Sequence, residues 1–338
     1  MQIQENISLK KFNTFGIDAR ARYFASFQSI EQLNELLRNP LLQQYSNLVL
    51  GGGSNVLFTK DINAVVLKNE IGGIEQTGED ENYYYIRAGA GENWHRFVLH
   101  CLGHQYAGVE NLALIPGNVG ASPMQNIGAY GVEIKDVFHS LEAVQLSDGH
   151  NVIFNKDECA FGYRESVFKN TLRNRFIITA VTYRLLKKPS FNISYGAIGQ
   201  ELEKMKVSKL SIQAVAEAVM HIRKSKLPDP AVIGNAGSFF KNPEITAAAF
   251  ESLKTAFPAA VGYPLENGHV KVAAGWLIEQ CGWKGYRKGD AGCHDKQALV
   301  LVNFGHASGT EIYVLSEEII KSVHEKFGIT LEREVNII

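Results

Sequence analysis

Residues 106–131 carry glycine at 108, 117, 120, 128 and 131 among Asn111, Asn118 and Asn126, and the apolar residues between them fit neither a helix nor a strand period. A connection of this length without secondary structure is uncommon in a compact chain unless it serves a purpose. The fold must therefore be a scaffold that supports a long glycine-rich loop. A second glycine signal, Gly51-Gly52-Gly53-Ser54-Asn55, ends the apolar run Leu48-Val49-Leu50. Residues without Cβ let backbone N–H groups approach an anion closely.

Strand and helix patterns surround these loops. Strands are expected at 48–50, 56–58, 64–67 and 83–87. Asn93 is placed to cap a helix whose apolar positions Trp94, Phe97, Val98, Cys101 and Leu102 follow helical spacing. Strands return at 141–145 and at 176–185, where Ile177-Ile178-Thr179 favours an extended backbone. A helix over 212–224 presents Ile212, Val215, Ala216, Val219 and Met220 on one face, and Leu227-Pro228-Asp229-Pro230 stops it. Beyond this double proline come helices over 246–257 and 275–281, a strand at 298–303, an amphipathic helix over 310–327 and a closing strand over 330–337. No internal repeat is present. The pattern is α+β, with a larger N-terminal half and a smaller C-terminal domain.

A chain of 338 residues, 45% hydrophobic and 20% charged, has material for two or three compact cores. With a net charge of −1 and no long run of lysine or arginine, it lacks the electrostatic footprint of a nucleic-acid binder. Residues 1–12 lack the apolar core of a signal peptide, and no stretch approaches the roughly 20 apolar residues that span a bilayer. A cytoplasmic location away from membranes is expected. Cys101, Cys159, Cys281 and Cys293 are too widely spaced for a disulfide scaffold or paired-cysteine zinc site and read as reduced packing residues. His100 and His104 fall on one helix face without the glutamate of a zincin, so they read as a solvent-facing pair, and no metal is expected.

Several segments hold groups suited to chemistry. The glycines at 51–53 fit neither a Walker loop nor a Gly-x-Gly-x-x-Gly turn, which leaves an anion cradle or a tight hairpin. Pro116-Gly117-Asn118-Val119-Gly120-Ala121-Ser122-Pro123 adds donors and a hydroxyl, and two such loops suggest a diphosphate held between them. Gln125-Asn126-Ile127-Gly128-Ala129-Tyr130-Gly131 supplies amides for the edge of a heterocycle. Arg164, after Phe161-Gly162-Tyr163, offers a fork for a carboxylate or a developing enolate; an ordinary surface pair with Glu165 is the alternative. His221, Arg223, Lys224 and Lys226 complement a helix C-terminus at the domain boundary. In Gly234-Asn235-Ala236-Gly237-Ser238, Phe239 and Phe240 follow the serine, so Ser238 suits proton donation better than nucleophilic attack. Glu332 and Glu334 share one face of the closing strand.

These segments together resemble the UDP-N-acetylenolpyruvoylglucosamine reductase family over nearly the whole chain. The resemblance rests on Asn13-Thr14-Phe15-Gly16-Ile17-Asp18 and on residues 51–57, 89–95, 110–117, 125–132, 161–164, 226–230, 234–243 and 273–278. It implies a two-part FAD-binding domain of the vanillyl-alcohol-oxidase (PCMH) type over 1–226, split near 65–70. A smaller α/β substrate-binding domain would follow over 227–328, and a C-terminal strand over 329–338 would carry the catalytic glutamate.

By residue match, Ser238 resembles the proton donor and Arg164 and Glu334 its electrophilic partners. The resemblance assigns Gly51, Gly52, Gly53, Ser54, Asn55, Ile115, Gly117, Gly120, Ala121, Ser122, Gly128, Ile178 and Arg223 to FAD. It assigns Tyr130, Tyr195, Lys226, Asn242, Tyr263 and Gln297 to substrate, with Tyr195 folding over the nucleotide-sugar diphosphate as in the family's first class. The implied activity is NADPH-dependent reduction of UDP-N-acetylglucosamine enolpyruvate by a monomer. One departure stands at Asn336, where the family often has arginine. Another flavin oxidoreductase of the same N-terminal fold, or a catalytically silent flavin or nucleotide-sugar binder, would not require Ser238, Arg164 and Glu334 together.

Overall fold

The structure is a computed structural model that describes residues 2–195 and 197–338. The chain forms two compact units. The first comprises Met1–Ile7, Ala21–Gly53 and Asn63–Ser225, and the second Ser8–Arg20, Ser54–Ile62 and Lys226–Ile338. Two early segments thus group with the C-terminal half, an interleaving that a partition in chain order does not express. The later boundary falls at the end of the helix Ile212–Lys226, next to the double proline.

In the first unit a sheet orders the strands Gln4–Ser8, Arg20–Phe27, Ile62–Asn69 and Asn47–Leu50, the last two parallel. Helices Ile30–Leu37 and Pro40–Gln44 supply Leu33, Leu36 and Leu42 to a core with Phe27, Val65 and Leu67. A second, antiparallel sheet runs in the order Asn151–Asn155, Phe138–Gln145, Phe176–Leu186, Tyr83–Gly89 and Ile74–Glu79. Helix Trp94–Gly103 begins as expected, with the Asn93 side chain accepting from the Arg96 N–H. Its Trp94 and Phe97 are fully buried and pack with Tyr183 of the central strand, ring centroids 5.7 and 4.7 Å away.

The second unit holds an antiparallel sheet in the order Gly234–Ser238, Val300–Asn303, Ala291–Cys293 and Arg287–Lys288. A three-stranded sheet of Glu244–Thr246, His269–Val272 and Gly262–Pro264 accompanies it. Helix Gly309–Phe327 starts on a Ser308–Glu311 capping box and ends at left-handed Gly328.

One alternative is excluded and one local expectation is corrected. The glycines at 51–53 do not turn a hairpin: Asn47–Leu50 pairs with Ile62–Asn69, whereas Val56–Leu57 pairs in parallel with Asn336–Ile337. The closing strand is also shorter than its apolar alternation suggests and is regular only over Asn336–Ile337. Before it, 332–334 join Phe239–Lys241 through a single bridge, Phe240 to Arg333, with Lys241 N–H donating to Glu332 and Glu334 N–H to Phe239.

Cys101, Cys159 and Cys293 are buried free thiols, and burial pushes Cys159 and Cys293 up to about 12. His100 and His104 stack at 4.1 Å on one helix face, and their rings continue onto Tyr106. Among the described residues no helix is long and apolar enough to cross a membrane.

Candidate active site

Within the first unit the two glycine loops meet. A Cβ added to Gly52 would lie 2.8 Å from the Gly117 Cα and 2.8 Å from the Asn118 Oδ1, so only glycine permits the backbones to approach this closely. Asn118 Nδ2 donates to the Gly91 carbonyl at 2.8 Å, and Gly120 N–H donates to the Ala90 carbonyl at 2.9 Å. The Gly51 carbonyl accepts from Lys68 Nζ at 2.5 Å, and burial lowers the pKa of this lysine. Ala121 is exposed at the end of the short 3₁₀ turn Val119–Ala121. Ser122 is fully buried, and its hydroxyl pairs with the Tyr183 hydroxyl at 2.7 Å, which places it beneath the loop rather than on its surface. Ile178 is buried too, its carbonyl accepting from Asn69 Nδ2 at 2.9 Å.

Arg223 lies along the same unit, with Nε donating to the Leu114 carbonyl at 3.2 Å. The Tyr130 hydroxyl is its other partner, and among the described residues no carboxylate pairs with it. Burial lowers its pKa, the mark of a cation short of countercharge. The Leu114 N–H in turn donates to His95 Nδ1 at 3.1 Å. Burial first, then the nearby Lys224 and Arg223, hold that imidazole below its ordinary pKa.

Arg164 occupies a tight turn closed by mutual hydrogen bonds between Gly162 and Glu165, at a left-handed φ of 54°. Its Nη2 donates to the Gly128 carbonyl at 2.8 Å. Buried Asn126 fixes this turn, because its Nδ2 bonds the Gly162 carbonyl at 2.9 Å and Glu133 at 3.0 Å while its Oδ1 accepts from the Lys135 N–H. Ser166 adds a 2.6 Å bond to the Met124 carbonyl. Residues 124–131 and 161–166, separate in sequence, are thus joined. Tyr195, 46% exposed, sets its ring edge-on to Tyr130 at 6.2 Å.

In the second unit Ser238 ends the strand Gly234–Ser238. Asn235 pairs with Val302 and Ser238 with Val300, so three steps on one strand oppose two on the other. This is a β-bulge with Gly237 at φ 70°, held by Asn235 Oδ1 accepting from the Gly237 N–H at 3.0 Å. Bulges re-aim the next side chain, here Ser238. Below the strand, the Asn13–Ile17 turn closes on Asn13, and Asn303 Nδ2 donates to the Phe15 carbonyl at 2.9 Å. Asn13 and Asn303 were not singled out individually from the sequence; asparagine beside turn glycine is the signal that marks them.

Glu334 follows in the segment bonded to Phe239, and it is half-buried. Its carbonyl accepts from Asn55 Nδ2 at 3.2 Å, while the Asn55 carbonyl accepts from both the backbone N–H and Nδ2 of Asn336. Asn336 thus has a definite role of its own beside Asn55. Glu332 points to solvent and pairs with Lys241 Nζ at 2.5 Å. Asn242 Oδ1 accepts from the Ala274 N–H at 2.9 Å and Gln297 Oε1 from the Leu299 N–H at 3.4 Å, so each acceptor is engaged. Tyr263 is 46% exposed, and Lys226 is exposed at the end of its helix.

Residues 229–338 match the family model of the UDP-N-acetylenolpyruvoylglucosamine reductase C-terminal domain, and residues 21–155 match an FAD-binding domain. Across 338 residues the chain is 52% identical to the UDP-N-acetylenolpyruvoylglucosamine reductase of Amoebophilus asiaticus, with 100% of both chains covered. The chain belongs to the UDP-N-acetylenolpyruvoylglucosamine reductase family. The reductase of Flavobacterium johnsoniae is 49% identical, again with 100% of each chain covered. The fold is that of the reductase crystallised from Thermus caldophilus, with a TM-score of 0.69 at 24% identity over 100% of this chain and 99% of that one. The architecture is therefore the α+β one expected of the family, an FAD-binding domain followed by a reductase-specific C-terminal domain. The glycine approach at Gly52 and the cation of Arg223 without a carboxylate suit an anionic dinucleotide, so the residues present fit FAD.

Proposed function

We propose that this chain reduces UDP-N-acetylglucosamine enolpyruvate to UDP-N-acetylmuramate with NADPH, as a flavoprotein of peptidoglycan precursor synthesis. The observation that carries this reading is identity near one half along the whole chain to reductases of this name. Bound FAD supplies the chemistry of hydride relay, from NADPH to C3 of the enol ether.

The protein's own residues manage charge and protons. Hydride arrival at C3 leaves negative charge at C2, shared with the attached carboxylate. The Arg164 guanidinium stabilises that charge, and its turn is held by Asn126 and Gly128 so that little reorganisation is needed. Glu334 helps to polarise the carboxylate and does so best when protonated. Ser238 transfers its hydroxyl proton to C2 and is reprotonated through water. Residues 51–55, Ile115, Gly117, Gly120, Ala121, Ser122, Gly128, Ile178 and Arg223 would hold FAD. The loop from Gly117 to Ser122 contributes mostly backbone, because the Ser122 hydroxyl is committed to Tyr183. Tyr130, Tyr195, Lys226, Asn242, Tyr263 and Gln297 would hold the nucleotide sugar. Asn242 would act through Nδ2, its Oδ1 being taken. The reaction is placed in the cytoplasm, where NADPH and nucleotide sugars are made, and a monomer is the working form.

An anaerobic titration tests the activity. The purified protein is expected to be yellow, to be bleached by NADPH, and to recover its colour on addition of the enolpyruvyl nucleotide sugar. Recovery only with oxygen would instead identify an oxidase.

A further inference from the structure

Tyr130 and Gly131 are the two central residues of a hairpin between Gly128–Ala129 and Val132–Glu133. Both have positive φ, 51° and 80°, the geometry of a type I′ turn. Such turns favour asparagine or glycine at the first position, and an aromatic residue there carries a conformational cost. Both carbonyls of the turn are held by asparagine amides. Asn111 Nδ2 donates to the Tyr130 carbonyl at 2.9 Å, and Asn192 Nδ2 donates to the Gly131 carbonyl at 2.9 Å. Asn111 Nδ2 donates a second time, to the Asn192 carbonyl at 2.8 Å. Asn111 is 1% exposed, so its own two bonds are partly sheltered from water.

We infer that Asn111 is a positioning residue for substrate: with Asn192 it forms a clasp that sets the Tyr130 turn and the Tyr195 segment in one relative orientation. The geometry favours this over a purely local cap, because one amide reaches two segments that meet nowhere in sequence. Phe191 and Ile193 of the second segment are partly buried and pack against the core. Apolar packing fixes depth but not register, and the clasp fixes register. The edge-on contact of Tyr195 with Tyr130 is the consequence. The inference rests on the proposed substrate role of the two tyrosines.

The test uses the flavin-loaded enzyme and its Asn111→Ala variant, with Asn192→Ala as a second variant that removes one clasp bond from a less buried side chain. Hydrogen exchange at the amides of 191–195 is expected to quicken in both variants while exchange in the strand Phe176–Leu186 stays unchanged. Binding of UDP-N-acetylglucosamine enolpyruvate, followed by the flavin difference spectrum, is expected to weaken about tenfold, the effect of losing roughly one net hydrogen bond. FAD content is expected to be retained, and kcat at saturating substrate to stay within about twofold. In a Tyr195→Ala background, Asn111→Ala should add little. Unchanged exchange at 191–195 overturns the clasp, and an equal binding penalty in both backgrounds overturns its action through Tyr195. If Tyr195→Ala alone leaves binding intact, the substrate role of Tyr195 falls and hydrogen exchange alone decides whether the clasp stands.

Discussion

Gly52 has almost no room: any side chain would meet the Gly117 backbone at 2.8 Å. Gly52→Ala is therefore expected to force the two loops apart at a cost of about 1–3 kcal/mol, typical of overpacking. Flavin content and the FAD dissociation constant measure it. Full flavin occupancy with unchanged affinity would mean that the loop approach is unrelated to cofactor binding. The glycines of both loops are evident in the sequence as anion-binding candidates, but their mutual contact is not, because local pattern carries no information on which distant loops meet. Arg164 was readable only as a fork after a turn. The choice between a surface pair and a held cation depends on Asn126 and Gly128, which reach it across the fold. Ser122 shows the opposite error: a hydroxyl among loop glycines looks available, yet Tyr183 takes it beneath the loop.

The bulge at Gly237 is the element that orients Ser238, and its left-handed φ of 70° is costly for a residue with a Cβ. Gly237→Ala is expected to destabilise the fold by about 1–2 kcal/mol and to slow reoxidation of reduced flavin by substrate. Thermal unfolding and rapid mixing check both effects. A stable variant with an unchanged second half-reaction would remove the bulge from the account. The amphipathic helices after Asn93 and over 212–224 and 310–327 were legible because their signals are local, with Asn93 capping where a polar residue precedes an apolar period, whereas Ile30–Leu37, Pro40–Gln44 and Ile198–Lys204 are short and went unexpected. Sheet partners were not legible. Val56–Leu57 looked like the return arm of a hairpin, but its partner is Asn336–Ile337 at the far end of the chain. Parallel pairing between such distant segments leaves no mark on local alternation, and the same limit shortened the expected closing strand.

At the scale of the whole molecule, segments Ser8–Arg20 and Ser54–Ile62 group with the C-terminal half. Unfolding of that unit is therefore expected to expose Phe15 and Phe58 together with Phe239 and Phe240, all of them buried. Differential hydrogen exchange along the denaturation curve would show 8–20 and 54–62 opening with 226–338. Opening with 63–225 would contradict the division. Under the proposed function, one turnover of the whole enzyme divides into two half-reactions with different residue requirements. On the role proposed for Ser238, its loss removes the proton for C2 and leaves the encounter with NADPH untouched. The most direct measurement is anaerobic rapid mixing of Ser238→Ala, first with NADPH and then, once reduced, with the enolpyruvyl nucleotide sugar. Flavin reduction is predicted to stay close to the wild-type rate and reoxidation by substrate to slow by about two to four orders of magnitude, the range of general acid catalysis; reoxidation at the wild-type rate would contradict the assignment.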